Sequence, residues 1–325
     1  MINYTPANIK LWSKLGARSV YGSIAAPEML EQNNKIIFVV ADVAASAGLG
    51  RLTESWPDNL LNVGIAEQNM IGVSAGLASE GFIPFASSFA PFVTARAADQ
   101  IRMSMAYMRL PVKLVALASG LAMGINGPSH LGFEDAAIIH SMPGVAIVTP
   151  ADGLSTIKAA LAAATWDGPL YLRLTGVTNM PVIYEQDFDF VIGKAIKLEE
   201  GSDVLIIASG AILHNCLLAA KKLRENGVSA GVMDMHTLRP LDTGALDEAL
   251  GAKLFVTVEE HSRDGSLGYA IAAYLADKSD RPPLLRVGLT NYPHADTYAG
   301  LIESAGLSPD GIAAQIKEKL SGLSR

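Results

Sequence analysis

Residues 62–78, NVGIAEQNMIGVSAGLA, pass from a small-residue turn into a helical period. Met70, Val73 and Leu77 recur at helical spacing, with Gly72, Ala75, Gly76 and Ala78 between them. That mixture predicts a helix that is buried and closely approached on more than one side. Glu67 falls on its first turn. Exposed amide donors and the positive end of the helix dipole favour a carboxylate there, which is the ordinary reason for an acid at a helix start. Burial changes the argument, because a buried carboxylate is costly unless something specific binds it. An acid of raised pKa, held in an apolar site against a ring nitrogen, can share or donate a proton. A ring-bearing ligand is therefore the expected partner of Glu67.

On either side of this helix, short β-branched runs alternate with helical patterns. Strands are expected at 36–40, 83–87, 112–118, 145–149 and 170–174, and helices around 67–80, 96–108, 134–141 and 154–165. Continuous apolar runs suit parallel strands covered on both faces, and the alternation implies a doubly wound α/β layer. Residues 178–190 hold a proline and several acids without a clear period, the composition of a connection between domains. A second α/β layer is expected from about Val191, with strands at 204–208, 230–235, 254–258 and 284–287 and a helix at 213–226. The expected domains are 1–185 and 191–325.

Composition limits the function classes. Half of the 325 residues are hydrophobic and only 18% are charged; 25 basic against 32 acidic side chains give a net charge of −7. No Lys/Arg cluster is dense enough to track a phosphate backbone, so nucleic acid is not an expected partner. The single cysteine, Cys216, has no internal disulfide partner, which suits a reducing cytosol, and it reads as a small buried apolar residue. The N-terminal MINYTPANIK lacks a basic segment followed by an apolar core, and no run reaches the ~18 apolar residues of a membrane span. A soluble cytoplasmic protein is expected. Its mean hydropathy of +0.29 exceeds the needs of a solvated monomer, and such surplus apolar surface usually ends in an interface.

Three motifs together, NVGIAEQNM at 62–70, SSFAPF at 87–92 and NGPSH at 126–130, resemble the transketolase family, and more narrowly the C-terminal half of a split, thiamine-diphosphate-dependent transketolase. VTPAD at 148–152 and MHTLRPLD at 235–242 extend the likeness over nearly the whole chain. The resemblance implies a pyrimidine-binding domain followed by a transketolase C-terminal-like domain. It implies that Glu67 hydrogen-bonds the aminopyrimidine ring nitrogen and promotes the imino tautomer, so that the cofactor becomes the nucleophile and electron sink. Phe89 and Phe92 are implied as the aromatic wall, although two Phe three apart are more often simple core. Arg96 is either a surface residue at a helix start or a site group. His130 is implied beside the thiazolium, where its titration range suits proton transfer. His214, His236 and His294 read as structural. His261, in a loop at a strand's end, is expected at an interdomain or subunit contact.

By the same resemblance, Arg18 and Ser46 bind the substrate's phosphate and Asn126 stands where an aspartate usually reads a substrate hydroxyl. The match is incomplete: Ala118 and Gly176 occupy positions where a further His and Arg are usual. Each lost charge-assisted bond is worth about 1.5–3 kcal/mol. Arg173 is a candidate to compensate; otherwise the substrate differs. No GDG motif with its downstream Asn is present, and the fragment Arg263-Asp264-Gly265 lies in the wrong domain. A diphosphate needs a metal with oxygen ligands. A second, N-terminal transketolase subunit carrying the diphosphate and Mg2+ site is therefore expected, in an α2β2 heterotetramer. The expected activity is transfer of a two-carbon ketol unit from a ketose, expected to be phosphorylated, to an aldehyde. The alternatives are a 2-oxoacid dehydrogenase E1 β-like or deoxyxylulose-phosphate-synthase-like subunit, or a non-catalytic paralogue.

Overall fold

Runs such as LVALAS have no polar face to offer water, so they fold as central strands sheltered on both sides. The structure, a computed structural model, describes residues 2–323. Its strands are β1 (Ile36–Val40), β2 (Leu60–Asn62), β3 (Ile83–Phe89), β4 (Lys113–Ser119), β5 (Ala146–Val148), β6 (Leu170–Thr175), β7 (Ile196–Glu199), β8 (Val204–Ala208), β9 (Ala230–Asp234), β10 (Thr237–Arg239), β11 (Leu254–Ser262) and β12 (Leu284–Leu289). They form a seven-stranded sheet in the order β10-β5-β6-β4-β3-β1-β2 and a five-stranded sheet in the order β12-β11-β8-β9-β7. Pairing is parallel except for β10 against β5 and β7 against β9. The two α/β layers are those that the alternation of elements implies. β4, β6, β8 and β9 are buried along their whole length.

The short strands β2, β7 and β10 are additions to the expected set. β10 comes from beyond residue 191 yet joins the first sheet: Thr149 N–H donates to His236 O at 2.8 Å, and Arg239 Nη1 donates to Met142 O at 2.6 Å. Residues 176–195 contain no helix or strand. They are tied down by Asp152, which caps the Gly153–Thr165 helix with one oxygen (Ser155 N, 2.8 Å) and accepts Ile183 N and Tyr184 N with the other (2.9 and 3.0 Å).

Two local expectations need correction. The Glu67–Ser79 helix buries Met70, Ile71, Ser74, Ala75 and Ala78, not the 70/73/77 stripe, and a Cβ built on Gly72 or Gly76 would meet nothing within 4 Å. Gly72 and Gly76 thus lie on an open face within this chain. Residues 96–108 are not a regular α-helix: wide π turns at Phe92–Arg96 and Ile101–Tyr107 flank a single α turn at Ala98–Gln100. Such turns free backbone groups from the regular ladder. Here the Arg96 carbonyl accepts a hydrogen bond from Gln68 Nε2 at 3.1 Å, which fastens the segment to the start of the Glu67 helix.

Candidate active site

β1 pairs in parallel with β2 and β3, so their carboxyl ends lie at the same edge of the sheet, the edge where an open α/β sheet places its ligands. Asn62, the last residue of β2, ties two loops together there. Its Oδ1 accepts Asp42 N and Gly64 N, both at 3.0 Å, and its Nδ2 donates to Asp42 Oδ1 at 3.0 Å. This side-chain clasp sets the turn that delivers Glu67 to the first position of its helix.

Glu67 is 3% exposed. Ser88 Oγ donates to its Oε1 at 3.2 Å and Arg96 Nη1 to its Oε2 at 2.9 Å. The Arg96 guanidinium also lies 4.3 Å from the centre of the Phe92 ring, a cation–π contact. Phe92 in turn meets the His130 ring edge-on at 5.2 Å and Phe89 at 6.4 Å. His130 Nδ1 shares a hydrogen bond with Ser129 Oγ at 3.0 Å. Glu67, Phe89, Phe92, Arg96 and His130 thus form one connected group, with Ser88 as a member that sequence reading missed. Arg96 ends the Phe92–Arg96 turn, and its half-exposed side chain is a partner of Glu67.

This group suits the aminopyrimidine of thiamine diphosphate. A flat heteroaromatic ring with a basic nitrogen needs a carboxylate sheltered from water and an aromatic surface beside it. Glu67 and the Phe89–Phe92 pair supply these on adjoining elements. Among the described residues, no group of three or more His, Cys, Asp or Glu is spaced to hold a metal ion.

Arg18 and Ser46 come together elsewhere, lining a depression of about 350 Å³ with Gly176 and Thr178. Burial pulls the Arg18 pKa down. Neither Asn126 nor His130 lines that depression. Asn126 is exposed at the tip of a tight turn, its N–H donating to Met123 O at 2.9 Å. Ala118 and Gly176 are packed against each other: a Cβ on Gly176 would lie 2.9 Å from the Cβ atoms of both Ala118 and Ala122. Gly176 has no room for a longer side chain without a shift of these neighbours.

Arg173 is engaged with groups of the chain itself. Its Nε lies 2.8 Å from Asp135 Oδ2, and its Nη2 donates to Gly132 O and Glu260 O at 3.0 and 3.1 Å, all inside the protein. Tyr171 Oη donates to Asp135 Oδ2 at 2.7 Å. Burial works to raise the Asp135 pKa, but Arg173 and then His261 outweigh it and hold the carboxyl below its usual range. His261 is buried 3.5 Å from Asp135 Oδ1, at the contact between the two layers. Its Nε2 accepts from Ala137 N at 3.4 Å and its Nδ1 lies 2.8 Å from Ser262 O, and burial lowers its pKa. His236 is likewise buried, stacked on Phe190 at 4.1 Å, and Cys216 is a buried thiol.

The family model described as "Transketolase, pyrimidine binding domain" matches residues 16–176, and "Transketolase, C-terminal domain" matches 193–312. The chain belongs to the transketolase family. It is 35% identical to a putative transketolase C-terminal section from Methanocaldococcus jannaschii, over 94% of this chain and 96% of that one. It is 38% identical to a 6-deoxy-6-sulfo-D-fructose transketolase subunit from Clostridium sp., covering 81% of each. Among solved structures it resembles a split-gene transketolase described as an inactive β4 tetramer, with a TM-score of 0.87 and 36% identity over 94% of this chain and 99% of that chain. As a transketolase, the chain carries its candidate acid, aromatic wall and imidazole within the first matched region.

Proposed function

We propose that this chain is one subunit of a two-chain, thiamine-diphosphate-dependent transketolase that moves a two-carbon ketol unit from a ketose to an aldehyde. The observation that carries the reading is the buried Glu67 carboxylate, set at the carboxyl edge of β1–β3 and joined through Arg96 and Phe92 to His130. When bound, thiamine diphosphate supplies the nucleophilic carbon and the electron sink. Glu67 holds a hydrogen bond at the pyrimidine ring nitrogen. Phe89 and Phe92 keep water from that ring, and His130 exchanges a proton with a substrate hydroxyl beside it. Arg18 and Ser46 receive the far end of the sugar, expected to be a phosphate, and Asn126 faces one of its hydroxyls.

The diphosphate and Mg2+ are held by a second, N-terminal transketolase subunit in an α2β2 assembly in the cytoplasm. The absence of a GDG motif and the likeness to a split-gene relative support this reading. The test is to mix the chain with the product of the adjacent reading frame, thiamine diphosphate, Mg2+, a ketose and an aldehyde. Ketose turnover is the expected result. Decarboxylation of a 2-oxoacid would favour the dehydrogenase-like alternative, and silence with every donor would favour a non-catalytic paralogue.

A further inference from the structure

The segment 120–132, which carries Asn126 and His130, closes on itself at its neck. Gly120 N–H donates to Gly132 O at 2.7 Å, and Gly132 N–H to Gly120 O at 3.2 Å. The group that grips this neck comes from the other layer. Glu260, on β11, is buried; its Oε2 accepts Leu121 N–H at 3.3 Å and its Oε1 accepts the Tyr298 hydroxyl at 2.6 Å. A Cβ on Gly120, whose φ is +74°, would lie 2.7 Å from Glu260 Oε2, so the carboxylate reaches the neck only because glycine stands there.

The Glu260 backbone holds the opposite side. Its carbonyl and that of Gly132 both accept from Arg173 Nη2, at 3.1 and 3.0 Å. At the far end of the loop, Asp296 N–H donates to Gly124 O at 3.2 Å. The second layer therefore holds the loop both at its neck and at Gly124, and the carboxylate at the neck has both oxygens engaged.

We propose that Glu260 is a positioning residue: acting from the second layer, it fixes the neck of the 120–132 loop and with it the place of His130 against Phe92. The inference rests on the reading that His130 works in the site described above. It gives the second α/β layer a part in the chemistry.

Glu260→Gln keeps the shape but exchanges one acceptor oxygen for an amide donor, so Leu121 N–H or the Tyr298 hydroxyl loses its acceptor. Tyr298→Phe removes one hydroxyl and leaves the carboxylate. Glu259→Gln is the control, since Glu259 spends its oxygens on Leu267 N and Gly268 N, at 2.8 and 2.7 Å. Hydrogen exchange of the isolated chain, read on residues 121–131, is expected to speed up about tenfold or more in Glu260→Gln and Tyr298→Phe and to stay near the parent rate in Glu259→Gln. Unchanged exchange in Tyr298→Phe, or an equal gain in the control, overturns the proposal. Should Glu260→Gln fail to fold, the other two variants decide. In the assembled enzyme Tyr298→Phe should lower kcat with little change in ketose KM. If the parent assembly turned over no ketose, the transketolase reading would fail while the exchange result stood.

Discussion

Arg96 Nη1 lies 2.9 Å from Glu67 Oε2, and the two ends of this ion pair see different surroundings: the arginine side chain is 49% exposed and the acid 3%. The buried partner's counter-charge can swing into water without disturbing the helix that begins at Glu67. Water screens the exposed end, so the pair is weaker than a fully buried one, and the buried acid still needs a partner. A ring ligand that takes over this carboxylate oxygen displaces Arg96 cheaply.

Glu67→Gln is expected to remove most ketol transfer, about 10²–10⁴-fold in kcat, as for loss of a positioned acid or base. The fold should survive, since Ser88 still has an acceptor and Arg96 turns to solvent. Steady-state kinetics of the assembled enzyme beside a thermal melt checks both halves; near-full activity would remove Glu67 from the chemistry.

Asp135→Asn breaks the buried pair with Arg173 and leaves a guanidinium without its counter-ion, a loss of about 3–5 kcal/mol. The pair also sets a pH window. Asp135 has a folded-state pKa held below its ordinary 3.8, so its stabilisation is fully present above that value and fades as pH falls further. Urea midpoints between pH 2 and pH 6 should show the acid limb in the parent and a flatter one in Asp135→Asn.

Asp234 behaves in the opposite sense. Burial pushes its pKa up to about 7, against a hydrogen bond from Tyr184 Oη at 2.6 Å, and its Oδ1 has no partner. With the folded value above the unfolded 3.8, stability is fullest below pH 4 and falls as pH rises through about 7. Asp234→Asn is expected to abolish that fall and to stabilise the chain at pH 8 by on the order of 2–4 kcal/mol. The same urea series extended to pH 8 reads it; a parent with no decline between pH 4 and pH 8 would contradict the assignment.

Gly176→Ala should cost about 1–3 kcal/mol through overpacking, because its methyl would sit 2.9 Å from both Ala118 and Ala122. A melting temperature unchanged by the substitution would mean that the wall beside Arg18 is softer than its packing indicates.

Much of this could be read from the chain alone, for physical reasons. Strands such as 36–40 and 204–208 announce themselves because a parallel strand covered on both faces has no polar side to blur the signal. Strands β2, β7 and β10 are three or four residues long, too short for any period. Phe92 and His130 could be named from their motifs. Ser88, and the grouping of Asp135 with Arg173 and His261, could not, since pairing across 21, 38 and 126 residues leaves no local mark. Arg173 reads as a candidate phosphate ligand for that reason: an arginine near a site looks the same in sequence whether it faces a ligand or an internal acid.

The antiparallel pairing of β10 with β5 also bears on how the polypeptide can be cut. A fragment ending before residue 191 would keep every strand of the first sheet but one, and would expose the backbone of β5 as a raw edge. Such edges invite pairing between copies. The pyrimidine-binding region expressed by itself should therefore self-associate, and the C-terminal region is best understood as its selvedge, the woven border that keeps the cloth from fraying.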